Sequence, residues 1–482
     1  MKIPGFTIHA LLVLALAATA SAQSTLRVIG ATAFRAPVHA AIEQILEPGY
    51  AFAVASSGTT QSSIGGANAA VFSGNLVSNG DPVVIKTYFT GAVSGVADVA
   101  SGRAISGFIA DGYATTSGAA VGSSGYPQEA AHSADVAWSD EGTAQDALML
   151  QSGNVAAKTA KSTIQGTTFV EAGSQGQSSV TGQAILAYEW VLQSTGAVAA
   201  PITGIDQQQA ATLVKQGSLP IIAITGSSAN QYDYLFLVGR NEDAGVRLNV
   251  AAEAQTGFGQ ATTQWMPSFT GVSGSYQDLG ATSSYVSSSG TNYVYDGGPG
   301  ATLSGLQKWP GGWALNTNTS ISWSAAGHSG FVTGSELASV LESIDPISSG
   351  SVSIVNGPTS PNKVYVIGYL APTDAATAST TGTSASDHGA TPLAYNGVAY
   401  TQANVKNGEY SLWSYEHSVY LTTLGGDQQQ AANDIADTVF LTTADYNSSL
   451  VPTTNTTAAG IIENSTVLFQ RGAPGGIITP NY

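Results

Sequence analysis

Residues 25 to 46 read TLRVIGATAFRAPVHAAIEQIL, and this stretch decides the fold class. Thr25 to Ile29 is a short apolar strand, and Gly30-Ala31-Thr32-Ala33-Phe34 is a tight turn into a helix. Pro37 fits the first helical turn, where its missing N–H costs nothing. Val38, Ile42, Ile45 and Leu46 then recur at helical spacing and give that helix one buried face. A second unit of the same kind runs from the strand Val83 to Phe89 through Thr90-Gly91-Ala92-Val93-Ser94-Gly95 into a helical pattern from Val96, and a third strand ends in ADVAWSD, Ala134 to Asp140. Repeated strand, turn and helix units predict a mostly parallel sheet, whose ligands bind beyond the carboxyl ends of the strands.

Further along, a helix is expected over roughly Gln183 to Leu192. Asp206 can cap the next helix, Ala210, Leu213 and Val214 give its apolar face, and Gly217 can end it. Tyr234 to Val238 is a strand running into Gly239-Arg240, and Val364 to Tyr369 is another. About 256–334 is rich in Gly, Ser, Thr and aromatics without a helical period and reads as hairpins and long loops. The Ala, Thr, Ser and Gly stretch from Ala375 to Ala390 reads as a connection.

Composition narrows the function. The 482 residues carry 14 Lys plus Arg against 31 Asp plus Glu, a formal net charge of −17, which removes the electrostatic basis for binding nucleic acid. Cysteine is absent, so neither disulfides nor lipid attachment at a cysteine is available and stability rests on packing. At the start, Lys2, the apolar run Ile8 to Ala18 and Ala20-Ser21-Ala22 form a signal-peptide pattern over residues 1–22. No later stretch reaches the roughly 20 apolar residues that a membrane span needs. Export to the periplasm or beyond, without membrane insertion, is therefore expected.

No catalytic constellation stands out. His39, His132, His328, His388 and His417 lack partners at zinc-binding spacing, and neither a G-x-S-x-G elbow nor a phosphate-cradling P-loop occurs. No metal or cofactor is implied, and a non-enzyme is expected. The adjacent pairs His328-Ser329 and Asp387-His388 leave a serine hydrolase as a further alternative.

Five blocks in order resemble the phosphate-binding receptors of ABC transporters, which are type II periplasmic binding proteins. They are GATAFRAPV (Gly30 to Val38), ADVAWSD (Ala134 to Asp140), Ile202 to Gly217, VGRNEDAGVR (Val238 to Arg247) and LAYNGVAYTQANVKNGEYSLWSYEHSVY (Leu393 to Tyr420). The resemblance implies an α/β, two-lobed fold with two crossovers and Gly/Ser/Thr-rich loop and hairpin insertions. Residues 23–168 are then the first part of lobe 1, 169–372 are lobe 2 with an insertion at about 256–334, and 373–482 return to lobe 1. It also implies a small anionic or polar solute held between the lobes and, as partner, an ABC transporter permease.

Carried over residue by residue, the implied ligand contacts are Thr32, Ala33 and Phe34 in the first turn, Asp140 as carboxylate, Arg240 as guanidinium and Gly245 at a helix start. For the second loop, two registers are open. Val54 to Gly58 matches by composition, whereas Thr90 to Val96 matches by context, offers Thr90 and Ser94, and makes residues 50–80 an insertion. The family's Ser-Gly-Thr is here Ala244-Gly245-Val246, and Ala33 stands where the first-loop threonine would be. Three hydroxyls are missing. A structural or adhesion protein on the same scaffold, its ligand site degraded, is therefore the competing reading. The bland readings run alongside: Arg240 as a salt-bridge partner, Asp140 and Ser94 as helix caps, and Trp138, Trp413 and Tyr415 as core. Arg35 is expected to point outward and Arg247 to lie on a helix body.

Overall fold

The structure is a computed structural model. It describes residues 23–440 apart from 145, 147–161, 174–183, 196–200, 242–243, 258–261, 271–301, 309–329, 332, 344–351, 356, 359–360 and 381–388, together with 461–463, 469–471 and 475–480. The signal-peptide pattern lies outside the described residues, as do His328-Ser329 and Asp387-His388.

The chain opens with β1 (Ser24–Gly30), a single 3-10 turn over Thr32–Phe34 and helix α1 (Arg35–Ile45), as the opening stretch predicts. Strands β2 (Ala51–Val54), β3 (Ala69–Asn75) and β4 (Pro82–Phe89) follow, then α2 (Ala92–Ser101), β5 (Val136–Ser139) and β6 (Phe169–Glu171). Next come β7 (Ala184–Ala187), β8 (Glu189–Leu192), α3 (Gln207–Gln216), β9 (Asp233–Leu237) and α4 (Gly245–Glu253). The described chain continues through α5 (Gly334–Glu342), β10 (Lys363–Leu370), α6 (Pro372–Ala378) and β11 (Thr391–Tyr395). It closes with β12 (Trp413–Tyr415), β13 (His417–Leu421), α7 (Gly426–Phe440) and β14 (Ile461–Glu463).

Two sheets give two lobes. The first has eight strands, in the order residues 119–120, β2, β3, β4, β1, β5, β13, β6. The second has six, in the order residues 204–205, β11, β8, β10, β9, residues 218–220. The chain crosses from the first sheet to the second between β6 and β8 and returns between β11 and β13. The crossing strands β7 and β12 pair antiparallel with each other, and β14 adds a third strand beside β7. This is the two-lobed α/β architecture with two crossovers expected from the sequence.

Four expectations are corrected. The sheets are mixed: β4, β1 and β5 pair parallel at the centre of the first and β9 and β10 in the second, with one short parallel pair at an edge of each, residues 119–120 on β2 and residues 204–205 on β11. Gln183 to Leu192 is not a helix but the strands β7 and β8. Residues 50–80 are no peripheral insertion, because β2 and β3 extend the first sheet. The re-entry into the first sheet also comes at β13, whereas β11 still pairs within the second. Once back, β13 lies beside β5, and α7 packs against α1 and β1.

Register at the sheet centres is what builds a site. Gly30 pairs with Phe89 on one side and with Trp138 on the other, so β1, β4 and β5 end at one level. In the second lobe Leu237 is level with Ile367. Loops that leave level parallel strands converge, and ligands bind there. The core beneath is aromatic: Phe34 packs on Trp138 with ring centroids 5.1 Å apart, and Trp190 meets Tyr369 edge-on at 5.7 Å. Trp138, Trp413 and Tyr415 are all buried, so the core reading holds for them.

Candidate functional site

A cavity lies where these strand ends meet. Its wall takes Ala31, Thr32, Ala33 and Arg35 from the end of β1, Gly91 and Ala92 from the end of β4, and Asp140 from the end of β5. The second lobe adds Arg240, Ala244 and Val246 after β9, Gly334 at the start of α5, and Tyr369 to Ala371 with Asp374 after β10. Tyr188, between β7 and β8, lines it from the crossover.

The local sequence explains why helix starts gather here. Helix N-termini leave N–H groups without intrahelical partners. The N-cap residues of the 3-10 turn leading into α1, of α2 and of α4 are Ala31, Gly91 and Ala244, and none supplies a side-chain cap. All three line the cavity. Away from it, the helices that begin after Thr60, Asp206 and Thr401 are each capped by that residue's side chain. The alanines and glycine that reach the cavity could not do this.

Arg240 bridges the two lobes. Its Nη2 donates to the Thr32 hydroxyl at 3.4 Å and its Nε to the Phe331 carbonyl at 3.2 Å, while its backbone N–H donates to the Tyr369 hydroxyl at 3.3 Å. Tyr369 in turn donates to Gln264 at 2.9 Å. Asp140 is 3 % exposed. Burial pushes its carboxyl up to about 6, against the pull of Arg240, the Val246 N–H and the Tyr188 hydroxyl. Among the described residues its Oδ1 has no hydrogen-bond partner.

The start of α4 is already met by carboxylates. The Val246 N–H donates to Asp140, and a Cβ added to Gly245 would lie 2.3 Å from Glu141 Oε1. Glu141 also accepts from Asn249 Nδ2 at 3.0 Å. Burial first, then Asp146 and Asp140, push the Glu141 carboxyl well above the usual range. Glu416, fully buried between β12 and β13, is raised by burial and by Asp140, and among the described residues neither of its oxygens has a hydrogen-bond partner.

Of the residues singled out from sequence, Thr32, Ala33, Asp140 and Arg240 line the cavity, and Gly245 sits behind its wall between Ala244 and Val246. Phe34 does not reach it, being fully buried against Trp138 with its N–H donated to the Ala31 carbonyl. Thr90 and Ser94 belong to the loop that does, yet their hydroxyls lie 3.5 Å apart and Ser94 turns to the Gly91 carbonyl. The Thr90 register is the one whose loop joins the wall. Arg247 lies in the body of α4 and donates to the Arg240 carbonyl at 3.3 Å.

Arg35 is a correction: it does not point outward but lines the cavity, because its Nε folds back to the Thr32 carbonyl at 3.0 Å. Asp374, Tyr188 and Tyr369 were not anticipated. Asp374 had a readable signal, since it follows Pro372 directly after an apolar strand, the same strand-to-helix junction as at β1.

The chain resembles phosphate receptors. The crystal structure of PstS from Borrelia burgdorferi matches at 8 % identity over 92 % of this chain and 99 % of its own, with a TM-score of 0.31. An ABC-type phosphate transport receptor from Vibrio cholerae matches at 8 % identity over 86 % and 94 %, with a TM-score of 0.32. A DING protein matches at 10 % identity over 92 % of each chain, with a TM-score of 0.36. No family model and no curated protein matches. Likenesses this weak carry no weight for function, which rests on the cavity alone. Among the described residues no group of three or more His, Cys, Asp or Glu side chains could hold a metal ion, and no helix is long and apolar enough to cross a membrane.

Proposed function

We propose that this protein is an exported solute receptor that holds a small oxyanion between its lobes. The observation that carries the reading is the convergence of two open helix starts, at Ala31 and Gly91, on a cavity that also presents Arg35 and Arg240. Uncapped N–H groups and guanidiniums are what an anion needs once it leaves water. Asp140 and its free Oδ1 supply an acceptor for a hydroxyl on that anion. Thr32, Asp140, Arg240 and the backbone of Ala33 are the proposed contacts, and Gly245 the support behind them. Closure and release follow from hinge motion about the paired strands β7 and β12, and an ABC transporter permease is the partner such a receptor serves.

The test is a thermal shift against phosphate, sulfate, phosphonates and small carboxylates. A ligand at about 100 times its Kd adds roughly 2.7 kcal/mol to stability, so one member of the panel should raise the melting temperature. A second reading has its own support, because Asp140 and Glu141 already occupy the start of α4 and Ala33, Ala244 and Val246 offer methyl groups where hydroxyls would serve. On that reading the protein is a structural or adhesion protein of the cell envelope, and the whole panel leaves the melting curve unmoved.

A further inference from the structure

The cavity's own charges limit the ligand it takes. Arg35 and Arg240 face Asp140 and Asp374 across it, so the four side chains sum to no net charge. Of the helix starts in the wall, that of α4 is taken by Asp140 and Glu141. Asp374 stands in the first turn of α6, whose uncapped N-cap Ala371 also lines the wall, and lies against the start of α5, where a Cβ on Gly334 would meet its Oδ2 at 1.8 Å. Two starts remain open, those leading into α1 and α2, both in the first lobe. Each is equivalent to roughly half a positive charge, which together offset one negative charge. A dianion would leave about one charge uncompensated in a buried site, where partners are few.

The carboxylates set a second condition. Among the described residues Asp140 Oδ1 is buried without a hydrogen-bond partner, and Asp374 has no hydrogen bond of its own, only the fields of Arg240 and Arg35. Buried or half-buried acceptors aimed at one cavity call for donors. Resting on the oxyanion reading above, we propose that Asp374 is a second hydroxyl acceptor beside Asp140, and that the cavity selects a tetrahedral oxyanion that enters as a monoanion with two hydroxyl hydrogens. Dihydrogen phosphate fits this description. Monohydrogen phosphate fails on both charge and hydrogens, and sulfate has neither the charge nor a hydrogen to give.

The charged groups facing these acceptors fix the pH behaviour. Asp374 faces Arg35 from α1 and Arg240 from the loop after β9, with Glu336 of α5 behind Arg35. Asp140 faces Arg240, Tyr188, the Val246 N–H, Glu141 and Glu416. Lowering the pH from about 8 to about 6 converts phosphate to its monoanion, so affinity rises. Below about 6 Asp140 takes up its own proton, stops accepting, and affinity falls again.

Calorimetric titration of the full chain with inorganic phosphate and with sulfate tests this. The wild type is expected to bind phosphate several-fold more tightly near pH 6 than near pH 8, and to ignore sulfate. Asp374→Asn, whose amide can donate as well as accept, is expected to weaken phosphate about tenfold and to admit sulfate. Phosphate binding that is level or stronger toward pH 8 in the wild type overturns the proposal without recourse to any variant, and so does an Asp374→Asn protein that binds as the wild type does; either result leaves the oxyanion reading standing. If the wild type binds neither anion at any pH, that reading and this one fall together.

Discussion

The guanidinium of Arg240 donates to the hydroxyl of Thr32 across the cleft, 3.4 Å from Nη2 to Oγ1. Thr32 follows β1 in the first lobe and Arg240 follows β9 in the second, so this bond joins the two walls of the cavity. A ligand that takes Arg240 as its partner must exchange with this hydroxyl, and the lobes lose one tie when the cavity opens.

Arg240→Ala is therefore expected to remove the bridging charge from the site. Each hydrogen bond to a charged group is worth about 1.5 to 3 kcal/mol, so anion affinity should drop by one to two powers of ten or more in isothermal titration. The fold should persist, because the core under β9 and β10 is built from Leu235, Phe236, Leu237, Val366 and Ile367. An Arg240→Ala protein with the wild-type affinity sinks the proposed contact.

Local chemistry was readable from sequence where it is self-contained. Asp206 caps α3 with a full capping box and Gly217 ends it at φ +75°, as the sequence indicates. Where burial is two-sided the reading failed. Ile185, Leu186, Tyr188, Trp190, Val191 and Leu192 are all buried, so β7 and β8 show no alternation, and a uniformly apolar run does not distinguish a strand from a helix. Site residues were legible at strand ends but not in direction. Arg35 looked outward because nothing in its neighbours shows that its Nε returns to the Thr32 carbonyl, and Asp374 is brought to Arg240 only by the register of β9 on β10.

Stability should fall as pH rises through the neutral range. Burial raises Asp140 to about 6 and Glu189 to about 7, and it also raises Glu141 and Glu416 well above the usual carboxylate range. A carboxyl whose folded pKa is raised binds its proton more tightly when folded. Its contribution is complete below the unfolded pKa and is lost as pH climbs through the folded one. Each unit of separation is worth about 1.4 kcal/mol. Glu129 opposes this below about pH 4: burial works against its charge, but hydrogen bonds from Arg27 and Lys86 hold it below its ordinary value. Melting temperature should thus peak in mild acid and decline toward pH 8. Glu416→Gln should raise it at pH 8 and hardly move it at pH 5, and a wild-type melting temperature that climbs steadily from pH 5 to 8 contradicts the assignment.

Gly95→Ala tests the seating of α2. Alanine in a helix normally gains about 0.5 to 1 kcal/mol over glycine, but here its Cβ would lie 2.8 Å from the Gly30 Cα and 3.1 Å from its N. Both are backbone atoms at the end of β1, so the helix must lift, and Gly91 and Ala92 leave the cavity wall with it. A loss of about 1 to 3 kcal/mol and weaker anion binding are expected by chemical denaturation and titration. Gly66→Ala, with nothing within 4 Å of the new Cβ, serves as the control and should keep wild-type binding.

Restoring hydroxyls at the start of α4 separates the two functional readings. Ala244 is the N-cap of α4 without a side-chain cap, and its methyl and that of Val246 face the cavity. The Val246 N–H already goes to Asp140 and the Arg247 N–H to the Ala244 carbonyl, so serine at 244 finds no open N–H to cap and Ala244→Ser should leave the melting temperature nearly unchanged with no ligand present. Adding Val246→Thr brings a second hydroxyl to the wall beside Asp140, and in a cavity that binds an oxyanion two new donors should tighten phosphate at least about tenfold in isothermal titration. The Val246 N–H remains committed to Asp140, which confines the gain to the two hydroxyls. If the double variant keeps its fold but still binds no anion, the start of α4 is a helix end at which the carboxylates Asp140 and Glu141 have taken the ligand's place, and the scaffold reading stands in preference to the receptor.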